Sequence, residues 1–253
     1  MFSITADQLL APKYILWMWH GLLTTLEISA LTAVLATLLG FGVAAARASR
    51  QRAAWMPAAA YVSLFRNTPL LVQLLFWYFG LPALFPEGMM EWLNSVHTIG
   101  IAGLSLTWPS YEFLAALMGL VLYSTAYVSE EIRAGIGGVG PAQSQAGAAL
   151  GLNRLQVLRY IVLPQAVRIA TPPLLGQYMN ILKNTSLTMA IGLAELSYTS
   201  RQVEAETFRT FQAFGVATFM YIGSIALIEA FGVWRLQRAQ RLQPGALPQG
   251  GRR

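Results

Sequence analysis

Five apolar stretches of the chain approach the length needed to cross a bilayer core, about 20 residues, and polar or turn-forming segments separate them. The first, Leu22 to Ala46, reads LLTTLEISALTAVLATLLGFGVAAA, with a single charge at Glu27 near one end. The second runs from Tyr61 to Pro82 and contains RNTPLLVQLLFWYFGLP. A turn-rich stretch with acids and tryptophan, Phe85 to Ser110, leads to the third, Phe113 to Val128, which ends in EEIR. From Ala134 to Pro164 the chain is too polar and too rich in glycine to span. The fourth stretch, Ala166 to Leu187, is interrupted by Pro172-Pro173 and carries Gln177, Asn180 and Lys183. The fifth, Phe211 to Trp234, is followed by the basic RLQRAQRLQ. This pattern predicts an all-α membrane protein with about five transmembrane helices, one domain over residues 1–243, and a disordered tail over 244–253.

Composition agrees. Hydrophobic residues make up 55% of the 253 residues and charged residues 11%, against about a quarter charged in soluble domains. So few charges do not cover a water-facing surface. Cysteine is absent, which excludes disulfides and cysteine metal sites. The opening MFSITADQLLAPKY lacks the basic region and short apolar core of a cleaved signal, so the first span is expected to direct insertion.

The net charge of +6 is explained by where it lies. Arg47, Arg50, Arg52, Arg133, Arg154, Arg159, Arg168, Arg235, Arg238, Arg241, Arg252 and Arg253 fall on one set of alternating connections; Lys13, Arg201 and Arg209 fall on the other. Lys and Arg are retained on the cytoplasmic side, so the N-terminus is expected outside and the C-terminus inside. The basic balance is a topology signal, and it gives no reason to expect nucleic-acid binding. Trp17, Trp19, Trp108 and Trp234, near span ends, suit the membrane interface.

The connection between the third and fourth spans has its own design. Pro141 suits a first helical position, and small residues follow at Ala142, Ala146, Gly147, Ala148 and Ala149. Gly151 suits a left-handed stop. Asn153 with Gln156 forms a capping-box pair that opens a second helix. Leu155, Leu158 and Val162 are expected along one face of it, and Pro164 ends or kinks it. A helix, a sharp turn and a second helix fit either a docking element for a partner's groove or an ordinary interfacial hairpin.

The same segment carries a resemblance. Gln145-Ala146-Gly147, then Gly151, then Ile161-Val162-Leu163-Pro164, follows the signature cytoplasmic loop of bacterial ABC importer permeases, Glu-Ala-Ala, three residues, Gly, nine residues, Ile-x-Leu-Pro. Gln145 stands in place of the Glu and Gly147 in place of the second Ala. FRNTPLLVQLLFWYFGLP (65–82), AYVSEEIRAGI (126–136), LPQAVRIATPP (163–173) and LKNTSL (182–187) resemble the polar amino-acid branch of that family, over roughly residues 18–238. The stretch FRNTPLLVQ…WYF…P…PE is similar to glutamate/aspartate permeases in particular.

The resemblance implies a type I ABC importer permease fold in the bacterial inner membrane, with Gln145, Ala146, Gly147, Gly151, Ile161, Leu163 and Pro164 in the ATPase-coupling loop. The implied partners are a cytoplasmic ABC ATPase dimer, a second permease of the same or similar chain, and a periplasmic or lipid-anchored amino-acid-binding protein. Membrane lipid surrounds the chain. No G-x-x-x-x-G-K-[ST] loop occurs, so ATP and Mg are expected on the partner and no cofactor on this chain. It is not expected to be catalytic alone.

Charged and polar groups within spans are candidates for a substrate path, because burying them in lipid is costly. Arg66, Gln73, Tyr123, Lys183 and Asn184 are those candidates. Arg66 lies near a span end and equally suits snorkelling; Gln73 and Tyr123 equally suit bridges between helices. Glu130 and Glu131 are expected to face water or pair with Arg133. His20 and His97 lack metal-ligand company, and no Ser/His/Asp or Cys/His constellation is present. The alternatives are a transporter driven by an ion gradient, which needs intramembrane acids and usually an inverted repeat, and a scaffold that only presents the loop.

Overall fold

A computed structural model describes residues 10–95, 97–101 and 104–241 of the chain. The opening residues, on which the signal-sequence reading rests, and the expected tail over 244–253 lie outside them. Pro12 opens helix α1, Pro12–Ala48, whose 37 residues at about 1.5 Å each exceed the apolar thickness of a bilayer. The helix begins well before Leu22 and takes Tyr14, Trp17 and Trp19 into its first turns. Gly21, Thr25, Ser29, Thr32, Ala36, Gly40 and Ala44 are buried, one every three or four residues. That stripe of small side chains lets another backbone come close. Val34, Leu38 and Leu39, off the stripe, are exposed, as lipid-facing positions are.

The main partner of this stripe is α5, Tyr111–Gly137, capped by Ser110, whose hydroxyl accepts from the Phe113 N–H. A Cβ added at Gly40 would lie 2.8 Å from Val128 Cγ1. The two helices run in the same direction: Ile28 shares a core cluster with Leu120, and Ala44 shares another with Ile132. The C-terminal ends Arg47 and Arg133 therefore fall at one end of the bundle.

The second expected span is a composite. Helix α2, Arg52–Arg66, ends at Asn67, and Pro69 caps the short α3, Leu70–Leu75. A π turn over Phe76–Gly80 and a 3-10 turn over Leu81–Leu84 follow. Proline explains both irregularities, since it lacks an N–H and crowds the carbonyl four residues back. Pro82 displaces the carbonyl of Tyr78; Leu81 N–H bonds five residues back to Phe76 O, and Tyr111 Oη lies 2.8 Å from Trp77 O and 3.4 Å from Tyr78 O.

The stretch that the sequence leaves as turns contains α4, Met89–Asn94, and a hairpin of β1, Thr98–Ile101, with β2, Leu104–Thr107. The pairing is antiparallel, Thr98 opposite Thr107 and Ile101 opposite Leu104. The alternation in TIGI and LSLT is the period-2 signal for it. The body of the protein is helical nonetheless.

Beyond α5 come α6, Pro141–Ala149, α7, Arg154–Val157, and α8, Leu163–Asn184. A 3-10 turn over Thr185–Ile191 leads through Gly192, at φ +86°, to α9, Leu196–Thr207, and α10, Thr210–Arg241. Among the described residues α1, α5 and α10 are long and apolar enough to cross a membrane. The other two expected spans fall on the α2–α3 composite and on α8, whose Pro, Gln, Asn and Lys residues dilute it.

Candidate functional site

The loop between α5 and α8 forms around two glycines. Gly151 takes φ +81°, and its N–H bonds to Ala148 O at 3.0 Å while Leu152 N–H reaches Gly147 O at 3.1 Å. This paired closure, a Schellman motif, satisfies the last carbonyls of α6. Gly147 is the buried residue of α6, and a Cβ there would meet Ile161 Cδ1 at 2.6 Å and Val157 Cγ2 at 3.0 Å. Asn153 and Gln156 close the capping box with two 2.9 Å bonds.

Pro164 does not end the second helix. A π turn over Leu158–Val162 absorbs the proline, with Leu163 N–H bonding back to Leu158 O, and α8 continues. Leu155, Leu158 and Val162 do not share one environment: Val162 is buried and the two leucines are exposed. Val157 and Val162 are buried and Ile161 packs under Gly147, while Leu155 is 72% exposed. Gln145 and Ala146 are exposed on α6, Leu163 is half-buried, and Pro164 is exposed. The loop thus presents Gln145, Ala146, Leu150 and Leu155 outward from a small, tightly closed base.

A second polar centre lies between α1, α2 and α5. Glu130 accepts from Arg47 Nη1, from Arg133 Nη2 at 2.8 Å and Nε at 3.2 Å, and faces Arg66 Nη1 at 3.9 Å. Pairing with Arg133 matches one expectation for Glu130; the reach to Arg47 and Arg66 on other helices was not legible. Arg66 also lies over the Tyr127 ring, 5.2 Å from its centroid. Tyr123 Oη donates to Tyr127 Oη at 3.3 Å, and Tyr127 Oη donates to Arg66 O at 3.4 Å. Two of the path candidates, Arg66 and Tyr123, therefore share one cluster. Glu131 accepts from Gln177 Nε2 at 3.2 Å.

Gln73 is placed differently. It is buried, and its amide donates to Phe65 O and Thr68 O, both at 3.0 Å, closing the break between α2 and α3. Lys183 and Asn184 stand at the far end of α8, roughly 30 Å along the helix from Leu163. Lys183 is exposed, and no carboxylate among the described residues lies within ion-pair distance of it. Asn184 is half-buried. Ser186 and Thr185 turn their hydroxyls back to the carbonyls of Lys183 and Leu182.

One central residue was missed from sequence. Glu195, fully buried, caps α9 by accepting from Tyr198 N–H at 2.8 Å, and it accepts from Tyr221 Oη at 2.7 Å and Thr25 Oγ1 at 3.3 Å. Burial raises its carboxyl above the usual range, and these donors oppose the shift. A lone Glu in LAELSYT carries no signal of partners on α1 and α10.

The sequence matches the family described as "Binding-protein-dependent transport system inner membrane component" over residues 15–239. The chain is 35% identical over 174 residues to the probable amino-acid ABC transporter permease protein PatM of Vibrio harveyi, covering 69% of this chain and 70% of that one. It is 31% identical over 218 residues to the glutamate/aspartate import permease protein GltJ of Escherichia coli K12, covering 86% and 83%. A crystal structure of an amino acid ABC transporter with histidines superimposes with a TM-score of 0.77 at 27% identity, covering 94% of this chain and all of that one. An ion-gradient transporter and a mere scaffold are set aside by this family, whose members work with a substrate-binding protein and leave ATP hydrolysis to a separate ATPase. The chain belongs to the inner-membrane components of binding-protein-dependent transport systems, as the permease subunit of an ABC amino-acid importer.

Proposed function

We propose that this chain lines the import path for an acidic amino acid, glutamate or aspartate, and that α6 and α7 dock onto the ATPase. Two ATPase subunits bind ATP and Mg2+ and grip one such loop each. A second permease of the same or similar chain completes the path, and a periplasmic or lipid-anchored binding protein delivers the cargo. The N-terminus faces outward and the C-terminus the cytoplasm. Reporters fused in the 49–51 connection or at the C-terminus should give a cytoplasmic signal, and one at Asn94 a periplasmic signal; a cytoplasmic signal at Asn94 would overturn this topology.

The observation that carries the acidic reading is Lys183, an ammonium near the outer end of α8 with no carboxylate partner among the described residues. The likeness to a glutamate/aspartate permease supports it. An ion pair 4 Å apart at an effective dielectric of 20 is worth about 4 kcal/mol before desolvation, so a carboxylate entering a partly dry passage responds strongly to one cation. Lys183→Met keeps most of the length and removes the charge. In the reconstituted importer it should lower uptake on the order of tenfold, equivalent to about 1.4 kcal/mol, and leave co-purification with the ATPase intact. Against the wild type, glutamate or aspartate should displace labelled cargo better than arginine or lysine. A cationic amino acid winning that competition would end the acidic reading and leave the permease assignment standing.

A further inference from the structure

We infer that the cavity between α1, α2 and α5 is a carboxylate-binding site in which Glu130 is a resident counter-ion, displaced by the carboxylate of each passing amino acid. The cavity has a volume of about 430 Å³ and is lined by Arg47, Ser63, Arg66, Asn67, Tyr127 and Glu130, among others. That is within the usual size of small-molecule sites, roughly 300–1,000 Å³. Its location suits a path. Glu130 lies two turns before the end of α5 at Gly137, roughly 10 Å inside the loop-bearing end.

Charge is out of balance there. Three guanidinium groups, from Arg47, Arg66 and Arg133, surround the one carboxylate of Glu130. The neighbouring Glu131 is engaged by Gln177 of α8. Arg47 Nε is buried without a hydrogen-bond partner, and an unpaired buried donor costs about 1–3 kcal/mol. An additional carboxylate in the cavity would offset part of the excess positive charge.

The three contacts to Glu130 are unequal. Arg133 grips it from the same helix through two nitrogens. Arg66 is the most distant, at 3.9 Å, and its side chain is 44% exposed, so it has donors to spare. Tyr123, Tyr127 and Glu130 lie at i, i+4 and i+7 on one face of α5. The linked hydroxyls of Tyr123 and Tyr127 end on the main-chain carbonyl of Arg66, and the Arg66 guanidinium lies over the Tyr127 ring. A carboxylate moving along this face meets Arg66 first. It takes Arg66 while Glu130 stays on Arg133; when it departs, Glu130 regains the pair. Without Glu130, three cations in a partly dry cavity would hold a carboxylate too tightly to release it, and a conducting site must bind weakly enough for its occupant to leave.

The inference rests on the import reading but not on which amino acid is carried, since every amino acid has an α-carboxylate. The test uses the complete permease–ATPase complex in proteoliposomes with its binding protein, and whichever of labelled L-glutamate, L-glutamine or L-arginine the wild type accumulates. Arg66→Gln should raise the KM for uptake about tenfold, and Arg66→Lys should recover much of that loss. Glu130→Gln, nearly isosteric, should lower both KM and the maximal rate, because cargo then leaves slowly. A purely structural role moves assembly or rate but does not lower KM. An unchanged KM in Arg66→Gln, or a raised KM in Glu130→Gln, would overturn the site. If glutamine or arginine is the cargo and Arg66→Gln still weakens its uptake, the acidic reading falls and this site stands.

Discussion

Gly151→Val should leave the chain inserted in the membrane while the importer loses its stimulated ATP hydrolysis. At φ +81° an L-residue pays about 1–2 kcal/mol, and a β-branched one pays more. What matters is where that cost falls. The base of the loop has few buried residues, Gly147 in α6 and Val157 in α7, so its local opening free energy is small compared with that of the helical body. The turn therefore gives way first, and the two bonds that close it, Gly151 N–H to Ala148 O and Leu152 N–H to Gly147 O, are lost. Released from that closure, α6 no longer lies with Gly147 against Ile161, and Gln145, Ala146 and Leu150 leave their relative positions. Stimulated hydrolysis or ATPase co-purification should fall on the order of tenfold, the equivalent of about 1.4 kcal/mol. Gly151→Asn, which tolerates the left-handed region, should keep most of both. Wild-type transport by Gly151→Val would show that this loop is not the docking element.

The features legible in the sequence are those set by neighbours along the chain. Apolar length marks α1, α5 and α10, and the Gly151 turn and Asn153–Gln156 box are local devices that can be recognised as such. Prolines were legible as breaks but not as the kind of break. A π turn precedes both Pro82 and Pro164, because one wider turn moves the obstructed carbonyl aside; the helix continues past Pro164 and tightens to a closing 3-10 turn at Pro82. That wider turn also changes the phase of the helix from Leu158 on, so positions counted in steps of 3.6 across it do not stay on one face: Leu158 is exposed and Val162 buried. For Gln73 the sequence leaves path-lining and bridging open, because a buried amide and an amide in a water-filled path have the same sequence. Only the break at Pro69 shows which carbonyls it satisfies. Glu130 and Glu195 were least legible, since their partners lie on other helices, Arg47 83 residues away and Thr25 170 residues away.

The largest loss of stability should follow from Glu195→Ala. This carboxylate ties three elements together: Thr25 of α1, the N-terminus of α9 and Tyr221 of α10. The approach is close enough that a Cβ on Gly21 would fall 2.3 Å from Thr199 Oγ1 and 3.0 Å from Glu195 O. Truncation to alanine leaves the Tyr198 N–H, the Tyr221 hydroxyl and the Thr25 hydroxyl without their shared acceptor in a site closed to water. Ser197 Oγ lies 3.0 Å from the Tyr221 hydroxyl, so that group keeps one neighbour. Each buried donor left unpaired costs about 1–3 kcal/mol, and for a chain of this size each kcal/mol lowers the unfolding midpoint by roughly 2–4 °C. A fall of roughly 5–15 °C in detergent is therefore expected, with Gly21→Val producing a comparable loss through the clash. Glu195→Gln keeps one acceptor oxygen and should lose less. The pH dependence has a definite sign: burial holds the folded-state pKa above that of the unfolded carboxyl, so the stability linked to its protonation is greatest below the unfolded value, about 4.3, and is lost as pH rises through the folded one. Glu195→Gln should flatten that slope. A midpoint in Glu195→Ala within a degree or so of wild type would show that the three elements are held together without this carboxylate.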